Sequence, residues 1–208
     1  MTGSEVLKIL TQHVPAAAVE YCFQLWKESP FELKITRSRN TKVGDFTSKG
    51  SKHHPRITLN NDLNQFLFLQ TYIHEVAHLR VYLRLGNRVD PHGEEWRSTF
   101  TDLMIPVMWE DVFPENVLHE LRRHMISPKA SSFADSRLIE AFRKHDNNAS
   151  AIVVLNQLPE GSIFLFHGRY FRKGKLRRTR ILCQEMKSKR NYLVPADAVV
   201  SNVQLSLL

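Results

Sequence analysis

The hydrophobic pattern of the chain changes period three times. Over residues 4–13 and 15–28 the apolar positions recur at helical spacing, with Val19, Cys22, Phe23 and Trp26 forming one core-facing stripe. Ser4 is placed to cap the first of these helices, and Pro15 suits the first turn of the second. In "FELKITR" the period shortens to two, putting Phe31, Leu33 and Ile35 on one face of a strand. "KVGDFTSKGSKHHPRITLN" then predicts a hairpin: a strand near 42–48, a "SKGSK" turn, and a strand through Ile57 and Leu59.

The next segment, about 62–85, is apolar on most faces, as a central buried helix must be. Asn61 or Asp62 is its expected cap and Gly86 its stop. A loop, "GNRVDP", leads into a helix running from about His92 or Gly93 to Met104, and two more helices are predicted near 114–125 and 135–145. "DNNAS", 146–150, reads as a linker. Beyond it come short runs, "SIFLFHG", "RYFRKGK", "LRRTRILCQEM" and "YLVPA", broken by Gly168, "KGK" and "SKRN". Those are turn signals at hairpin spacing and predict a small barrel or curled sheet. The division expected is therefore 1–148 and 149–208.

Composition adds little until charge is mapped. With 42% hydrophobic and 24% charged residues, the chain is an ordinary globular protein rather than a disordered one. The start lacks a signal-peptide pattern, no stretch suits a bilayer, and two distant cysteines cannot make a disulfide framework or a Cys-rich zinc site. A cytoplasmic setting without a membrane is the expectation, nucleoid-associated in a bacterium, with the chain taken as a monomer. Residues 149–208 hold ten Lys/Arg against three acids, and residues 1–148 hold nineteen against eighteen. Charge gathered this unevenly points to a polyanionic partner.

The chemistry lies in "TYIHEVAHLRVYLRLGNRVDPHGEEW", 71–96. On a helix, His74 and His78 stand four apart and aim at one point, with Glu75 one residue round. An apolar helix with two incidental histidines is the plain alternative, but burying two histidines and a glutamate without partners is costly. A catalytic zinc ion takes three protein ligands. His92 is one candidate for the third, and Glu94 or Glu95 is the other.

Together, "HEVAH" and "HGEEW" resemble the paired motifs of the SprT-like zinc metalloprotease family, which includes the Spartan-type proteases of DNA–protein crosslinks. The likeness covers about residues 15–110. It implies zinc held by His74, His78 and His92, Glu75 as the general base, and a metalloendopeptidase acting on DNA-bound or DNA-crosslinked proteins. Gly93 and Trp96 complete the second motif. The fold expected is α+β: a small antiparallel sheet packed on a helical zincin-like core, followed by a small basic β module on which the resemblance says little. Many bacterial members carry a Cys-rich zinc ribbon, and one cysteine beyond residue 140 is too few for that.

The run 169–190 has ten Lys/Arg, one acid and interleaved Tyr170 and Phe171, a composition suited to phosphates and stacked bases. Its candidate nucleic-acid contacts are Arg172, Lys173, Lys175, Arg177, Arg178 and Arg180, with alternation placing Arg178 and Arg180 on one face and Arg177 on the other. A second basic run, 34–56, includes His53 and His54, read as turn residues. Protein substrates and single-stranded or crosslinked DNA are the expected partners. The strand at 56–60 is expected to pair with substrate backbone. Trp26 and Trp109 are read as core. The competing class is a nucleic-acid-binding protein with a structural or inactive zinc site, against which an intact Glu75 argues.

Overall fold

A computed structural model describes residues 1–39, 42–48, 55–129, 135–146 and 153–204. The chain forms two compact units, Met1–Asp146 and Asn147–Leu208. Most of the expected hairpin turn, His53, His54 and all of the linker after Asp146 lie outside the described residues.

The first unit opens with α1 (Gly3–His13) and α2 (Val19–Glu28). Thr2, not Ser4, caps α1: its side chain accepts from the Glu5 N–H while Glu5 reaches back to the Thr2 N–H, a reciprocal capping box. Strands β1 (Glu32–Thr36), β2 (Gly44–Thr47) and β3 (Arg56–Asn60) form a sheet ordered β1-β3-β2. The fold is α+β, but this sheet is mixed: β2 pairs antiparallel with β3, as the hairpin pattern predicts, while β1 pairs with it in parallel. β3 is therefore the central strand, with Leu33 and Phe46 both opposite Ile57. Both its edges are paired, so it offers none to a substrate chain.

The sheet lies against α3 (Gln65–Leu85), which buries thirteen side chains on nearly every face. Its cap is Asn64 rather than Asn61 or Asp62, because the Asn61 N–H is still bonded to Thr36 O at 2.9 Å and belongs to the sheet. Asn64 accepts from the Phe66 and Leu67 N–H groups and donates to Phe142 O and Asp146, tying the start of α3 to the segment around Phe142 and Asp146. Gly86 stops α3 at φ 66°, its N–H bonded to Tyr82 O. Three further helices complete the unit: α4 (Glu94–Met104), α5 (Glu115–Met125) and α6 (Ser136–Arg143). Trp26 is half-buried, whereas Trp109 is 62% exposed and not core: its indole N–H is satisfied locally by Pro106 O, and the ring needs no interior partner.

The second unit is one antiparallel sheet ordered β4-β9-β5-β6-β7-β8. Its strands are β4 (Val153–Val154), β5 (Ile163–Phe166), β6 (Arg169–Arg177), β7 (Arg180–Glu185), β8 (Asn191–Pro195) and β9 (Val199–Gln204). Leu155, Phe164, Phe171, Ile181, Cys183, Val194 and Val200 share one core cluster. Leu155, next to edge strand β4, and Val194, in edge strand β8, belong to that one cluster, so both ends of the sheet contribute to the same core. "KGK" is not a turn: it lies inside β6, where the pairing with β7 shifts register between Lys173 and Leu176.

Candidate metal centre

The helical period of α3 and one tight turn assemble the site. His74 and His78 project from the same side of α3, and His92 comes from the loop beyond Gly86. His92 precedes α4, whose cap is Gly93. Asp90 shapes that turn: its carboxylate accepts from the His92 N–H at 3.2 Å and its carbonyl from the Gly93 N–H at 3.0 Å. The three rings converge on their Nε2 atoms, with His78 3.2 Å from His74 and 3.1 Å from His92. Three nitrogens bound tetrahedrally at roughly 2.0–2.1 Å stand about 3.3 Å apart. The histidines are therefore spaced as ligands of one small cation. Among the described residues these three form the metal-competent group, and neither Glu94 nor Glu95 joins it.

Electrostatics agree with that role. Burial, then the neighbouring histidines, hold His74 well below the ordinary imidazole range. Burial and His92 take His78 down to about 4, and burial lowers His92. All three are neutral at physiological pH, the form that offers a lone pair.

Trp96, fully buried on α4, is the common floor. Its ring centroid lies 4.6 Å from that of His74, 5.3 Å from His78 and 4.9 Å from His92. Phe100, a turn further along, stacks beneath it at 4.9 Å.

Glu75 is 6% exposed and faces β2. Burial and then the Asp45 carboxylate push it up to about 8, against the nearby Phe46 backbone, which lowers it. Asp45 also acts on His78 and is paired with Lys42 at 2.7 Å. Sequence reasoning missed Asp45, Asp90 and the approach of β2. Only the "DP" turn before His92 carried a local signal; the rest depends on strand order.

In the second unit Arg172, Lys175, Arg177, Arg178 and Arg180 are exposed. Lys173 is not with them. It is 8% exposed, and its ammonium donates to Asn156 O at 3.0 Å and to Leu158 O, so it is a buried strut of the sheet and not a free phosphate contact. The expected split of faces also changes. Arg177 and Arg180 are direct cross-strand partners and share a face, while Arg178 sits in the turn between them at φ 57°. Each non-glycine residue at positive φ among the described residues, His167, Arg178 and Lys189, lies in a hairpin turn of this basic unit.

A helix-borne pair of histidines joined by a third from the following loop could hold a metal ion, and its first two members have the His-Glu-x-x-His spacing. Residues 13–119 match the SprT-like family, and the chain belongs to that family. Among curated proteins it resembles Protein SprT of Pseudomonas fluorescens strain Pf0-1, 33% identical over 86 residues, covering 38% of this chain and 51% of that protein. Protein SprT of strain SBW25 is 32% identical over 87 residues with the same coverage. The chain thus spans about half the length of the curated relatives it matches. No solved structure matches it. The second unit lies beyond the family match. No helix among the described residues is long and apolar enough to cross a membrane.

Proposed function

We propose that the chain is a zinc-dependent metalloendopeptidase acting on proteins bound or crosslinked to DNA. The convergence of the His74, His78 and His92 Nε2 atoms at 3.1–3.2 Å carries the reading, within a chain of the SprT-like family. Three neutral imidazoles suit zinc, which such sites bind with one position left for substrate or water. Zinc held by His74, His78 and His92 would supply a Lewis acid able to activate water near neutral pH. A divalent cation beside Glu75 would favour its carboxylate form, which could then take a proton from water and return it to the leaving amine. Among the sheet's described strands, β2 has a free edge beside Glu75, where an extended substrate can add a strand.

The basic second unit supports the DNA-linked substrate class. Arg172, Lys175, Arg177, Arg178 and Arg180 offer phosphate contacts, and exposed Tyr170 offers a stacking surface.

The test is cleavage of casein or histone by the zinc-loaded chain, with and without single-stranded DNA. Cleavage that is stimulated by DNA and lost in Glu75→Gln is expected. An inactive wild type under both conditions would remove the peptidase. Cleavage indifferent to DNA, with no DNA binding, would remove the DNA-linked substrate.

A further inference from the structure

Gly44 opens β2 against the face of α3 that carries Thr71 and Glu75, four residues apart on one side of the helix. A Cβ at position 44 would lie 2.6 Å from Thr71 Cγ2, 2.7 Å from Glu75 Oε1 and 3.1 Å from Glu75 Cγ. The first two are closer than real Cβ contacts come. Backbone conformation does not require glycine here. Gly44 is not in the left-handed region, and it pairs regularly with Leu59. What the position requires is the missing side chain. The Thr71 hydroxyl is already bonded to Leu67 O at 2.7 Å, which leaves its methyl toward Gly44. Two residues on, the Phe46 backbone comes near enough to the Glu75 carboxyl to lower its proton affinity, and the Phe46 ring is anchored against Tyr82 with centroids 5.6 Å apart.

We propose that the β2 backbone from Gly44 to Phe46 is the seat that positions Glu75, with Gly44 as a positioning residue for the reaction. The space left at Gly44 admits the carboxylate, and the Phe46 backbone lies beside it. The proposal rests on the peptidase reading, because it assigns Glu75 the proton transfer.

The test uses the full chain, zinc-loaded, with Gly44→Ala, Thr71→Ser, the double variant and Glu75→Gln. Gly44→Ala keeps its zinc and KM while kcat falls on the order of 10²-fold, the usual effect of an ångström-scale misplacement. Thr71→Ser removes the neighbour at 2.6 Å but not the one at 2.7 Å, so the double variant stays slow. Recovery of wild-type kcat in the double variant would show a packing clash only and overturn the seat, as would an unchanged kcat in Gly44→Ala. A second readout does not need turnover. The Phe46 amide resonance moves in Glu75→Gln, and moves again in Gly44→Ala. A Phe46 amide indifferent to Glu75→Gln would overturn the seat even should Gly44→Ala fail to fold. An inactive wild type would count against the peptidase alone, and the amide would then decide the seat.

Discussion

His78 Nε2 lies 3.1 Å from His92 Nε2, although a helix end, the Gly86 stop and a loop separate the two residues in sequence. The contact depends on the turn that Asp90 shapes through the His92 N–H. Asp90→Ala frees that N–H and the ring behind it. Metal affinity in a competition titration should fall on the order of 10-fold, the low end for loss of a group that orients a ligand. Unchanged affinity would mean the loop is held by other contacts.

Trp96 touches all three imidazoles and is itself fully buried. Trp96→Ala should lose about 3–5 kcal/mol of stability through the cavity it leaves. Trp96→Phe keeps an aromatic floor but less of it, so chemical denaturation should show a smaller loss together with weaker metal binding. Equal metal affinity in Trp96→Phe and wild type would reduce Trp96 to a packing residue.

Glu75 gives a signed pH dependence in the metal-free protein. Below pH 4.5 its carboxyl is neutral whether the chain is folded or not and has no effect. Between 4.5 and about 8 the unfolded chain ionises it while burial beside Asp45 keeps it neutral in the fold. Each pH unit in that window costs the wild type up to about 1.4 kcal/mol relative to Glu75→Gln, and the gap is constant above it. Urea midpoints of the two metal-free proteins should therefore diverge from pH 5 to 8. Parallel midpoints would place the carboxyl in a wetter environment than the structure shows.

The basic unit separates two kinds of lysine and arginine. Replacing Arg172, Lys175, Arg177, Arg178 or Arg180 with alanine should each lower the salt slope of DNA binding by about one while sparing the fold. Lys173→Ala removes the donor to Asn156 O and Leu158 O, and should destabilise the unit without changing that slope in the protein that remains folded. A salt-slope change at Lys173 equal to that at Arg172 would contradict its burial.

The helices and the His74–His78 pair were legible because a 3.6-residue period is local information. His92 was legible through its motif, although the sequence left Glu94 and Glu95 open until the loop closed on α3 in the structure. What failed was non-local. Asn61 is a good cap by composition, but β1 takes its N–H, and the cap passes to Asn64. The strand at 56–60 carries no sign in its own residues that it pairs on both sides. Lys173 reads like its basic neighbours in the sequence, and only the placement of Asn156 and Leu158 against β6 gives its ammonium two carbonyls.

Metal stoichiometry is the most direct measurement, by elemental analysis of the purified full chain and its single-site variants. The wild type should carry about one zinc per chain, and His74→Ala, His78→Ala or His92→Ala should each lose it, since a catalytic zinc takes three protein ligands. Glu94→Ala, Glu95→Ala and Glu75→Gln should each keep it. A His92→Ala protein with full zinc, or a wild type that binds none, would contradict the three-histidine centre.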